Sequence, residues 1–170
     1  MVRGGVSLKS CAFFGHRKGD YEKEEKVLFA VIAELIERYQ VVQFYAGGRG
    51  VFDWLGARLV ADLRVKNPQI KLTQVLSYIP KEKEGTKPLY FDDTVYLLER
   101  KVPPRFSILE TNKLLVEKVD FVVSGVKYCG GGARTAVEYA QKRKKTVIDV
   151  CKGKEDFFIK QILERENTRL

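Results

Sequence analysis

Residues 119–140 read VDFVVSGVKYCGGGARTAVEYA, and the fold follows from how that stretch changes character. It starts as the apolar run VDFVV at 119–123, passes through glycines at 130–132, and continues with apolar residues at helical spacing. A strand that leaves through glycines into a helix builds an anion site. Glycines carry no side chain, so a phosphate reaches the backbone. The helix start adds unpaired N–H groups and a partial positive charge. Two further stretches share this layout, FYAGGRGVFD at 44–53 and CAFFGHRKGD at 11–20. Three such exits in a chain of 170 residues point to one crevice for a phosphorylated or ribose-bearing ligand.

The rest of the chain alternates in the same way. SCAFF at 10–14 is a short buried strand. Residues 21–39 place Val27, Leu28, Val31, Ile32, Leu35 and Ile36 on one helical face, with Asp20 as a cap. VVQFYA at 41–46 is a second strand, and a helix over 51–64 turns Leu55, Leu59, Val60 and Leu63 inward. Trp54 reads as a core residue against the sheet. Strands follow at 70–79, 119–124 and 146–150, with helices near 107–118, 132–143 and 154–166. This order predicts an α/β fold: one domain over 1–170, a mainly parallel sheet of about five strands, and helices on both faces. Ligands of such sheets sit at the strand carboxyl ends, near the switch in strand order. Residues 80–106, rich in lysine and proline, interrupt the alternation and are expected to form an irregular excursion, a candidate lid. Tyr90, Phe91 and Tyr96 either stack there on a base or pin the loop to the core.

Composition narrows the function classes. The hydrophobic content of 45% is that of a globular protein. No apolar run approaches the roughly 20 residues that span a bilayer. MVRGGVSLKS, the first ten residues, has no signal-peptide apolar region, so no membrane partner and a cytoplasmic location are expected. Cys11, Cys129 and Cys151 form no even framework and no metal-ligand spacing, and a single histidine excludes a multi-histidine metal site. No cofactor and no metal are expected. The net charge of +9 draws polyanions, which keeps nucleic acid as a partner. The basic run KRKK at 142–145 lies at a helix end, where cations favour the dipole.

The order of GHR at 15–17, YAGGRG at 45–50 and GGGARTAVE at 130–138 resembles the SLOG superfamily. These are Rossmann-like proteins that include the LOG nucleotide phosphoribohydrolases and the DNA-processing protein DprA. The resemblance covers about residues 10–150 and is greatest to small bacterial members that open with a GHR segment. The LOG signature Pro-Gly-Gly-x-Gly-Thr-x-x-Glu falls on Gly130 to Glu138. Gly131, Gly132, Thr135 and Glu138 match it, while Gly130 stands for the proline and Arg134 for the third glycine. The resemblance implies that Gly131, Gly132 and Thr135 contact a phosphate. It implies that Glu138 contacts the ribose and is the catalytic residue for glycosidic cleavage. LOG enzymes also carry an arginine on the preceding helix. Thr111 stands in its place here, beside Asn112, which many SLOG proteins keep for ligand contact.

The remaining site candidates read as pairs of alternatives. Gly15, His16 and Arg17 leave the first strand and face either ligand or protein. Gly47, Gly48 and Gly50 admit either a ligand or a tight turn, with Arg49 beside them for an anion. Arg134 either clamps a phosphate or points into solvent. Asp53 either caps the next helix or binds a ribose hydroxyl. Cys129 reads as an inert thiol. Three functions follow, in this order. The first is binding or sensing of a nucleotide or nucleotide-derived ligand. The second is an LOG-like hydrolase of nucleoside 5′-monophosphates that uses Glu138. The third is single-stranded nucleic-acid binding, as in DprA. A homodimer is a further expectation from the resemblance.

Overall fold

The strand Lys9–Gly15 (β1) enters the middle of a sheet, and its alternating residues supply both cores. The computed structural model describes residues 7–79 and 89–152. After β1 come a 3-10 turn at Glu22–Glu24, α1 (Glu25–Glu37), β2 (Val41–Ala46), α2 (Val51–Arg64) and β3 (Lys71–Leu76). Then follow β4 (Asp93–Tyr96), α3 (Pro104–Lys118), β5 (Phe121–Gly125), α4 (Gly132–Lys142) and β6 (Thr146–Asp149). The strand order is β4-β3-β2-β1-β5-β6, and every pairing is parallel. The described residues therefore form one Rossmann-like α/β unit.

The chain walks outward from β1 to β4, then returns to the other side of β1 as β5. Crossovers of one hand place helices on opposite faces before and after that return. Cys11 and Phe13 pack with Leu28 and Ile32 of α1 and Phe52 and Val60 of α2. Ala12 and Phe14 pack with Leu115 and Val116 of α3 and Ala136 and Ala140 of α4. Phe13 stacks on Phe44 at 5.9 Å and meets the edge of Phe52 at 6.5 Å. Truncating a buried ring of this kind to alanine costs about 3–5 kcal/mol.

Asp20 accepts the Glu22 N–H at 2.8 Å, so it caps the 3-10 turn and α1 proper begins at Glu25. The sheet has six strands, one more than the sequence reading, because β4 forms inside the stretch expected to be irregular. Asp92 anchors it: its carboxylate accepts the Leu72 N–H at 2.9 Å and pairs with the Arg64 guanidinium. Its own N–H donates to Leu72 O at 2.8 Å. Four mostly exposed residues on an edge carry no alternation long enough to read. Of the three aromatics read there, Phe91 is buried while Tyr90 and Tyr96 are not. Trp54 is corrected: it is 37% exposed, with its ring edge-on to Tyr90 and Phe91 rather than against the sheet. The first part of the candidate lid, 80–88, and the helix expected near 154–166 lie outside the described residues. Among those described, no helix is long and apolar enough to cross a membrane.

Candidate functional site

The carboxyl ends of β1 and β5 are neighbours in the sheet but belong to opposite halves of the chain. Gly15 pairs with Gly125 at this switch point. A Cβ on either glycine would lie 2.3 Å from the Phe52 ring, so α2 seats its phenylalanine in the space they leave. Tyr21 bridges the two strand ends: its hydroxyl accepts the His16 N–H at 3.0 Å and donates to Gly125 O. The β2–α2 turn docks on the same place. Val51 N–H donates to Arg17 O at 3.0 Å, and a Cβ on Gly50 would lie 2.5 Å from Arg17 Cα.

Above this joint lies a crevice of about 480 Å³, within the size range of small-molecule sites. All three glycine-bearing exits line it. Gly15, His16 and Arg17 come from β1, Gly47 and Gly50 from β2, and Gly131 and Gly132 from the start of α4. Asn112 lines it from α3, together with Thr111. Arg49, Asp53 and Ser77 complete the polar lining. Four of the sequence candidates are not lining residues. Gly48 turns the chain at φ +67° against Gln74. Thr135 donates its hydroxyl to Gly131 O at 3.2 Å. Arg134 Nε lies 2.9 Å from Glu138 Oε1, one helical turn on, and that pair is 39% and 53% exposed.

The start of α4 is open. Gly130 and Gly131 adopt φ of +85° and +88°, and a Cβ on either would meet nothing within 4 Å. No side chain caps this helix, so its first N–H groups remain for a ligand. Thr111 stands nearby with its hydroxyl covered and without a hydrogen-bond partner among the described residues. A buried hydroxyl in that state costs free energy that a ligand atom would recover. Neither Ser77 nor this property of Thr111 carries a signal in the sequence, since both depend on which strands and helices become neighbours.

His16 works inward as well as lining the crevice. Its Nε2 accepts the N–H of Lys127 at 2.8 Å and of Tyr128 at 3.1 Å, so the ring proton sits on Nδ1. The ring also packs on Tyr128 at 4.6 Å. Burial, then the Lys127 charge, holds its pKa below the usual value. Lys127 itself bonds Glu24 at 2.8 Å and Asp20 O at 2.6 Å. Arg49 lies 4.9 Å over the Tyr78 ring. Asp53 is half-buried on the α2 side, and its Oδ2 accepts the Arg49 N–H at 3.4 Å. Burial pushes its carboxyl up to about 6, against the pull of the Arg49 and Gly48 N–H groups and the Arg17 and Arg49 charges.

The basic run at 142–145 has internal partners at the end of α3. Arg143 pairs with Glu117 at 2.7 Å, and Lys145 donates to Val119 O at 2.9 Å. Cys129 is exposed at the rim of the glycine loop. No group of three or more His, Cys, Asp or Glu among the described residues is placed to hold a metal ion.

No family model matches the chain, and no curated protein does. Solved structures do. DprA of Streptococcus pneumoniae superposes with a TM-score of 0.61 at 16% identity, over 84% of this chain and 50% of that one. DprA of Helicobacter pylori, described for its single-stranded DNA binding mode, gives 0.59 at 15% identity, over 83% and 64%. The molybdenum cofactor binding protein of Rippkaea orientalis gives 0.56 at 16% identity, over 85% and 77%. This chain thus spans between half and about two-thirds of the DprA chains. At such identities the likeness is one of fold: the chain shares its Rossmann-like architecture with DNA-binding and cofactor-binding proteins.

Proposed function

We propose that this protein binds a nucleotide or a nucleotide-derived ligand in the crevice between β1 and β5, and acts by binding or sensing rather than by hydrolysis. The observation that carries this reading is the convergence of all three glycine-bearing exits on one crevice. A phosphate fits at the open start of α4, where uncapped N–H groups and the helix dipole favour an anion. Thr111 and Asn112 flank that end from α3. The hydrolase reading has weaker support. Glu138 is paired with Arg134 outside the crevice, and Thr111 occupies the position of the LOG arginine. A site for a nucleotide-like ligand also agrees with a cofactor-binding neighbour of the same fold.

The test is titration calorimetry with a panel of nucleoside 5′-monophosphates and with a single-stranded oligonucleotide, alongside chromatography for released base. The expected result is saturable nucleotide binding without base release. Base release that disappears in Glu138→Gln returns the hydrolase. Binding of the oligonucleotide alone, weakening steeply with salt, transfers the function to nucleic acid, which the charge of +9 and the DprA neighbours favour.

A further inference from the structure

Asp53 is the one carboxylate among the described residues that line the crevice. Its position divides the site. An ionised carboxylate repels a phosphate, so the phosphate belongs at the other end, by Gly131 and Gly132. There the Asn112 amide lies 3.9 Å from where a Gly132 Cβ would stand. Asp53 lines the same crevice from α2. Its Oδ2 is held by the β2–α2 turn through the Arg49 N–H. The Gly48 N–H also holds this carboxylate, which keeps lone pairs to accept from a ligand in the crevice it lines. Resting on the nucleotide reading above, we infer that Asp53 is the specificity residue that accepts hydrogen bonds from the ribose diol, and that it orients the ligand with its phosphate toward α4. That role thereby passes from Glu138, which faces Arg134 on the outer surface of α4.

The chemistry suits a diol. An ionised carboxylate only accepts hydrogen bonds, and the two adjacent hydroxyls of a diol supply the donors. Such charge-assisted bonds are roughly twice as strong as neutral ones. Protonation removes that advantage, and Asp53 takes up its proton near pH 6. The titratable groups around it are Arg17 and His16 from the β1 exit and Arg49 from its own turn. The lining residues of β3, α3 and the α4 loop bring no titratable group to the crevice: they are Ser77, Thr111, Asn112 and their apolar or glycine neighbours.

The experiment compares each nucleoside 5′-monophosphate of the panel with its 2′,3′-dideoxy counterpart, by calorimetry, at pH 7.5 and pH 5.0, in the wild type and in Asp53→Asn. The readout is the ratio of the two affinities. Titration of the phosphate and of His16 affects both ligands alike and cancels in the ratio. The wild type is expected to favour the ribonucleotide by about 10-fold or more at pH 7.5. That ratio should shrink toward unity at pH 5.0, and stay near unity in Asp53→Asn at both pH values. A merely structural Asp53 would change both affinities together and leave the ratio intact. Equal affinities in the wild type at pH 7.5, or an undiminished ratio in Asp53→Asn, overturn the assignment and leave the nucleotide reading standing. Absence of binding by every nucleotide overturns both. Should Asp53→Asn fail to fold, the wild-type ratio and its loss at pH 5.0 decide the question alone.

Discussion

The β2–α2 turn and the β5–α4 turn look alike in sequence, GGRG against GGGA, and differ in what their glycines are for. The first is a packed joint. A Cβ on Gly47 would meet Asp53 Oδ2 at 3.0 Å, on Gly48 the Gln74 amide at 2.7 Å, and on Gly50 the Arg17 backbone at 2.5 Å. The second is an open lip, where Gly130 and Gly131 have no neighbour within 4 Å and are glycine because of their backbone angles. A glycine-rich strand exit therefore reports a steric demand without saying whether protein or ligand makes it.

The sharpest way to break that contrast is Gly50→Ala. The new methyl meets backbone that cannot swing aside, and the expected loss of stability is about 3 kcal/mol. The midpoint of denaturant unfolding measures it, and an unchanged midpoint would mean the joint is not tightly packed. Gly131→Ala is expected to cost less, about 2 kcal/mol, since the penalty is one of backbone conformation alone. It should also weaken nucleotide binding by disturbing the first N–H groups of α4, which calorimetry on the folded variant would detect.

Two ionisable groups of the crevice, His16 and Asp53, sharpen the comparison further, because their pH signatures have opposite signs. His16→Ala should cost about 1 kcal/mol at neutral pH, as two exposed N–H groups exchange the imidazole for water. The folded pKa of His16 lies below 6.5, so its contribution is present above pH 6.5 and is lost as pH falls through the lowered value. The stability gap between wild type and His16→Ala should therefore close on acidification. Asp53 runs the other way. With its folded pKa raised from 3.8 to about 6, ionisation opposes folding, and that cost grows as pH rises through this window. Asp53→Asn should gain on the wild type between pH 4 and pH 7 in the same unfolding series. The smallest effect belongs to Arg134→Ala. The exposed pair with Glu138 is worth no more than about 0.5 kcal/mol, so thermal melting should barely move.

Much of this architecture was legible along the chain because its causes are local. The strand VVQFYA and the helix at 51–64 have the bounds that alternation and helical spacing assign them. The parallel arrangement follows from strands separated by helices, which cannot pair as hairpins. β4 was not legible, since its pairing rests on Asp92 meeting Leu72, 20 residues earlier, and not on a pattern of its own. Trp54 misled for a similar reason: at helical spacing it resembles a core residue, and only the approach of Tyr90 and Phe91 turns it to the rim.

By itself, the sequence determined that strands would end in glycines and that those ends would lie on one side of a parallel sheet. Backbone periodicity and the absence of a side chain are properties of single residues and their immediate neighbours. The tertiary structure alone decided how each exit is used. His16 and Lys127 are 111 residues apart, yet their bond holds the β1 exit against the α4 loop. Thr111 has an orphaned hydroxyl only because α3 packs it, buried, at the crevice wall, where no described residue bonds it. Such contacts depend on where two distant segments meet in space, and no local pattern of residues encodes that distance.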